Sequence, residues 1–177
     1  MKSAQTGFTM VEMTVVVSIV AMLLAIGAPS YRYVTTANRV AGEINGLVGD
    51  MQFARAEAIK QGLPVSVCSS TNGTSCSGSS TWTQGWIVFS DSGVIGSIDG
   101  NDLVLRVQPK LSGADTLNAD NTISIVTFNR EGFARNLPGT INISLHDKTS
   151  NSSYTRCLNM TIVGALSTTH NGVGGCS

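Results

Sequence analysis

The sequence predicts an α+β chain, with one long N-terminal helix lying against an antiparallel β-sheet. Three observations carry that expectation. An almost uncharged apolar run, 8–28, opens the chain. It leads into a stretch whose apolar residues recur every three or four positions, the period of a helix. Beyond Pro64 the period falls to two, in short runs separated by Gly, Ser, Asn and Asp. Helical and strand patterns are therefore segregated along the chain, which is the α+β arrangement.

The first element is the apolar run. Phe8 to Ala28 is 21 residues long, and Glu12 is its only ionisable side chain. About 20 apolar residues span a bilayer core. An acidic group well inside such a helix costs roughly 3 kcal/mol, so it is functional unless it lies at the membrane edge and reaches water. Ahead of the run stands MKSAQTG, short and polar. Two processing sites present themselves: the small-x-small stretch Ala25-Ile26-Gly27, and the bond after Gly7. The run is long for a secretory signal core, and such a core would contain Glu12. Both points favour a cut after Gly7, which leaves Phe8 as the new terminus and retains the apolar segment. Flanking charge says little about orientation, since Lys2 precedes the run while Arg32 and Arg39 follow it.

The helix is expected to continue past Pro29. Val40, Ile44, Leu47, Met51, Ala54 and Ala58 form one apolar stripe, with Arg39, Glu43, Asp50 and Glu57 mostly off it. Gly62 and Pro64 terminate it. Gly27 and Pro29 should loosen or kink it, because proline removes one backbone bond and crowds the preceding turn. The result is a helix of about fifty residues, apolar all round in its first half and amphipathic in its second.

Six strand-like runs follow: Leu63 to Cys68, Gly85 to Ser90, Leu103 to Val107, Thr122 to Asn129, Gly139 to Leu145, and Tyr154 to Val163. Turn-rich stretches such as SSTNGTSCSGSS and DSGVIGSIDGND separate them, which suits antiparallel pairing. The sheet would supply the apolar face that the amphipathic half-helix needs. The aromatic cluster Trp82, Trp86 and Phe89 is read as core beneath that helix rather than as a ligand surface.

Composition narrows the function classes. Net charge is zero and only 12% of residues are charged, which argues against bulk nucleic acid as a partner. The four cysteines, Cys68, Cys76, Cys157 and Cys176, form no Cys-x-x-Cys pair, and only His146 and His170 could join them at a metal. Two disulfides in an oxidising compartment are expected, and no zinc. Three pairings are possible. Cys68 with Cys76 and Cys157 with Cys176 is preferred, since each closes a Gly/Ser-rich loop. Asp91, Asp99, Asn101 and Asp102 offer oxygen ligands of the calcium kind, but their spacing is not that of an EF-hand loop, and Asp and Gly favour turns anyway. Arg130, Arg135 and Arg156 are candidates for phosphate. No nucleophile elbow, phosphate loop or catalytic set is present, so neither catalysis nor a cofactor is expected.

The residues GFTMVEMTVVVSIVAMLLAIGAPSY resemble the N-terminus of type IV pilins and type II secretion pseudopilins. Downstream, WTQGWIVFSD, DLVLRV, TFNREGFA and RCLNMTIVG resemble, in that order, the GspH/FimT group of minor pilins. The resemblance covers nearly the whole chain and leaves the 69–80 and 108–121 loops unmatched. It implies a pilin fold and a division into a leader 1–7, a membrane and filament-core half-helix 8–29, and a domain 30–177 that is helical to about residue 62 and then β-rich. It implies cleavage between Gly7 and Phe8 by a prepilin peptidase, methylation of the Phe8 amine, and a role for Glu12 in assembly. Inside a fibre the Glu12 carboxylate of one subunit and the Phe8 ammonium of its neighbour could neutralise each other, and paired buried charges cost far less than either alone.

The implied function is that of a minor pilin in the priming or tip complex of a type IV pilus. The implied partners are other major and minor pilins, the peptidase, an inner-membrane assembly platform and inner-membrane lipid before assembly. The implied location is the bacterial inner membrane with the domain periplasmic, then the filament. A type II secretion pseudopilin is the alternative, and a free-standing membrane-anchored binding protein is a third class. A DNA-binding pilin is disfavoured: relatives that bind DNA carry Gly-Arg-x-Arg where this chain has Gly164-Ala165-Leu166-Ser167, so no DNA-binding residue is expected.

Overall fold

The computed structural model of the chain describes residues 7–177. All of the expected leader except Gly7 lies outside the described residues. The chain divides into two compact units, the described residues up to Asn38 and the unit 39–177. One helix, α1 (Met10–Gln61), is assigned without interruption. It includes Gly27 and Pro29, where the sequence led us to expect a loosened or kinked turn.

Among the described residues nine strands follow: β1 (Val65–Ser69), β2 (Gly85–Ser90), β3 (Val104–Pro109), β4 (Thr116–Ala119), β5 (Ile125–Phe128), β6 (Ala134–Arg135), β7 (Ile141–His146), β8 (Arg156–Met160) and β9 (Leu166–His170). They form two antiparallel sheets in the orders β3-β2-β1-β5-β6 and β4-β7-β8-β9. Six runs were expected, so three strands are additions, and each has a physical reason. β4 holds one buried apolar residue, Leu117, and β6 is two residues long. β9 reads LSTTH and pairs only with β8, so its side chains are largely exposed and show no apolar alternation. The last expected run also shortens: the chain leaves β8 at Met160, turns through Gly164 and comes back as β9.

The unit 39–177 is organised around the second half of α1. Val40, Ile44, Leu47, Met51, Ala54 and Ala58 are buried, the same stripe that the sequence marks out. They share one core with residues of both sheets. In the first sheet Val88, Val67 and Val126 lie side by side across β2, β1 and β5, with Val65 opposite Phe128. Alternate residues face the other way. There Cys68, Ile87 and Phe89 form a second small core, closed by Cys76, Ile98, Val104 and Ile125. That explains why β1 and β2 are buried at every position, unlike the half-exposed strands of a one-layer packing. Trp82 and Trp86 are both core, and their indole N–H groups donate to Ile123 O at 3.0 Å and Asp50 Oδ2 at 2.9 Å.

Polar ties hold the helix to the sheets. Both oxygens of Asp115 accept from Arg39, at 2.7 and 2.8 Å. Asp50 also accepts from Arg106 at 3.0 Å, and the Arg106 guanidinium sits 3.7 Å from the centre of the Phe53 ring. Arg55 donates to Gly164 O at 3.0 Å. The helix ends at Gly62, whose positive φ of 69° and N–H bond to Ala58 O make the left-handed stop that glycine adopts without strain.

Two disulfides are present. Cys68–Cys76 clips the 69–80 loop onto the outer face of the first sheet, and Cys157–Cys176 ties the C-terminal tail to β8.

Candidate functional site

The N-terminal segment is built by local rules. Thr9 is the residue before α1, and its hydroxyl accepts the backbone N–H of Glu12 at 3.2 Å. Thr-x-x-Glu at a helix start is a capping-box spacing, and it places Glu12 in the first turn, at the positive end of the helix dipole. The sequence reading missed Thr9, although the spacing that identifies it stands in GFTMVE. Further along, Thr14 donates to Val11 O at 2.8 Å and Ser18 to Thr14 O at 2.7 Å. Each hydroxyl is thus satisfied by its own helix and presents little unpaired polarity outward.

Every described residue from Gly7 to Thr35 is exposed. Among them are Val11, Met13, Val15, Val16, Val17, Ile19 and Val20, and the helix is long and apolar enough to cross a membrane. A long apolar surface of this kind is unstable against water and needs lipid or other helices around it. Glu12 is the one carboxylate on it. Phe8 is likewise exposed, two residues ahead of the helix. The segment can therefore do two things chemically: insert into an apolar medium, and offer one acidic group there.

The remaining candidates sort out geometrically. Asp99 accepts backbone N–H bonds from Val94 and Asn101, and Asp102 accepts them from Ser92 and Asp99. Their oxygens are engaged in holding the 91–102 loop. Asp91 is fully buried; burial raises its pKa above the ordinary carboxylate value, against the opposing hydrogen bonds from Ser66 and Gly96. Among the described residues no group of three His, Cys, Asp or Glu side chains is placed to hold a metal.

Arg130 and Arg135 line one surface cleft with Pro64, Asn129 and Glu131. Arg156 is elsewhere and donates to the carbonyls of Ser153 and Thr155, so the three arginines do not form one site. His146 Nδ1 lies 3.2 Å from the Thr155 hydroxyl, and His170 is exposed at the end of β9. Gly164 and Ala165 make the turn into β9, where Leu166 and Ser167 follow.

Comparison with known proteins gives the family. The family model described as "Type II transport protein GspH" matches residues 43–164, more than half of the chain. A second one, the prokaryotic N-terminal methylation motif, matches residues 2–28. No curated protein matches the chain. Among solved structures, the type IV minor pilin FimU of Pseudomonas aeruginosa (strain PAO1) superposes with a TM-score of 0.58 at 15% identity, covering 83% of this chain and 96% of that one. A second FimU structure gives 0.54 at 17%, covering 73% and 90%. The minor pseudopilin EpsH of the Vibrio cholerae type 2 secretion system gives 0.54 at 12%, covering 76% and 98%. At these identities the likeness is one of fold: a long N-terminal helix on antiparallel sheet. The two motif matches, in order along one chain, lead to a single conclusion: the chain belongs to the family of the type II transport protein GspH.

Proposed function

We propose that this chain is a minor pilin, a structural subunit that enters a type IV pilus through a priming or tip complex. In this reading a prepilin peptidase cuts between Gly7 and Phe8 and the Phe8 amine is methylated. The half-helix 8–29 then holds the protein in the bacterial inner membrane, with the domain 30–177 in the periplasm. Extraction into the filament follows, through the assembly platform and against other major and minor pilins. The protein performs no catalysis and needs no cofactor.

The observation that carries the reading is the fully exposed, apolar first half of α1 with one acidic group in its first turn, joined to a domain of the GspH family. Lipid and neighbouring helices are the two media that accept such a surface. In the second medium the Glu12 carboxylate finds the Phe8 ammonium of a neighbour, and that pairing favours one axial register. Mass spectrometry of the N-terminal peptide of the mature protein tests the processing. A methylated Phe8 at the terminus is expected; any other start overturns the reading.

The name of the family model favours a second reading, a minor pseudopilin of a type II secretion system. Deletion separates the two. Loss of surface pili with secretion intact supports the pilus, and the converse supports secretion. DNA capture is disfavoured, because Ala165 and Ser167 stand where the DNA-binding relatives are expected to carry arginine, and nucleic acid is not proposed as a partner.

A further inference from the structure

We infer that the end of the 39–177 unit formed by the last turns of α1 is a docking surface for a different subunit of the same fibre, one presenting apolar side chains beside a single carboxylate. The inference rests on the filament-subunit reading above.

Three segments meet at this end. The turn at Gly132 lies against α1, so close that a Cβ added there would stand 2.8 Å from Ile59 Cδ1. The turn at Gly164 lies against the first, where an added Cβ would stand 2.6 Å from Gly132 O. Ala134 N–H donates to Ile162 O at 3.0 Å, which ties the two turns side by side. On these segments Ile59, Leu63, Phe133, Ile162 and Val163 are each 45–54% exposed. Singly exposed apolar residues need no explanation, but five on three adjoining segments mark an interaction site.

The patch continues into a cleft of about 310 Å³ through Pro64, next to Leu63, and Glu131, two residues before Phe133. Arg130 and Arg135 line this cleft. Arg130 Nε donates to Glu131 Oε1 at 2.7 Å, and both guanidiniums act to depress the pKa of the same carboxylate. Two cations share one anion, so the cleft keeps one net positive charge. A monovalent carboxylate completes it, and a guanidinium fork is shaped for a carboxylate. A multiply charged phosphate would meet the Glu131 charge with too little positive charge to offset it. The apolar rim gives the flanking side chains of a protein partner a place to bury. Charge and apolar surface together therefore specify a protein segment with one acidic residue among apolar ones.

The test places a photo-crosslinking side chain at Phe133 of the full chain, expressed in cells that make the filament. Sheared filaments and membranes are then analysed by mass spectrometry. The expected product joins Phe133 to another pilin-class subunit, at a peptide with Asp or Glu beside apolar residues. Arg130→Glu combined with Arg135→Glu should lower the yield about tenfold, and Lys in place of the partner's carboxylate should restore it. Both arginines are at the surface, so an unchanged urea midpoint will show that the variant is folded. Crosslinking only to lipid, to a non-filament protein, to a second copy of this chain or to nothing overturns the docking surface. If the chain is still found in sheared filaments, the filament reading survives that result. Its absence from filaments overturns both.

Discussion

The Asp115 side chain has no exposed surface, and both of its oxygens are held by Arg39. Removing the guanidinium leaves the buried Asp115 carboxylate without a counter-charge and beside a second acid, Glu43, which is the costly way to break an ion pair. Arg39→Ala should therefore destabilise the 39–177 unit by about 3 kcal/mol, read as a lower urea midpoint in the fluorescence of the buried Trp82 and Trp86. Asp147 gives a pH-dependent case. Burial pushes its pKa up, but hydrogen bonds from the Thr149 hydroxyl and from the backbone N–H groups of Asn151 and Thr149 outweigh burial, and the net shift is downward. A depressed folded pKa means that the unfolded chain binds the proton more readily. The stability Asp147 contributes is then present above the ordinary aspartate pKa and lost as pH falls through its folded value. Asp147→Asn should cost stability at neutral pH, and the gap from the parent protein should close below the ordinary aspartate range, in urea titrations repeated across pH. Asp91 runs the other way: its raised pKa favours the neutral acid in the fold, so its contribution declines as pH rises through that value. The sequence marked Asp91 as a turn or metal residue and offered no signal that it would be enclosed. Its burial comes from the 91–102 loop folding back over the first sheet.

At the scale of elements, α1 shows how local rules and packing divide the work. The buried stripe from Val40 to Ala58 leaves Gly42, Gly46 and Gly49 on the other side, where an added Cβ meets nothing within 4 Å. Glycine inside a helix costs up to about 1 kcal/mol relative to alanine. Gly46→Ala should thus raise the stability of the unit by roughly 0.5–1 kcal/mol, measured by the same urea titration. The disulfides act on loops in a comparable way. Cys157–Cys176 closes a sequence separation of 19 residues over a glycine-rich tail. Replacing both cysteines by alanine should lower stability by about 3 kcal/mol on loop-entropy grounds, with β9 the first strand to lose amide-exchange protection. The helix and the strands β1, β2, β3, β5, β7 and β8 were legible because each carries an apolar period or run bounded by turn residues. β4, β6 and β9 were not, because a short or edge strand is held by backbone pairing to its neighbour and carries little apolar pattern of its own.

For the molecule as a whole, the consequential feature is the contrast between a buried core in the 39–177 unit and an exposed apolar helix before it. In our reading the helix is held first by lipid and then by neighbouring helices, and Glu12 matters only in the second setting. Glu12→Ala should leave membrane insertion and Phe8 processing unchanged while sharply reducing recovery in sheared filaments. Equal recovery of variant and parent would refute the pairing. By itself the amino-acid sequence determined the long helix, its buried stripe, the acidic group in an apolar run and the family, because each is a matter of period, spacing or local motif. Only the tertiary structure decided that the strands divide into two sheets, that Arg130 and Arg135 share a cleft from which Arg156 is absent, and that Arg39 meets Asp115. The sheet pairings and the Arg39–Asp115 contact join residues far apart in the chain, and all three outcomes follow from how the sheets and turns pack, which no local pattern encodes.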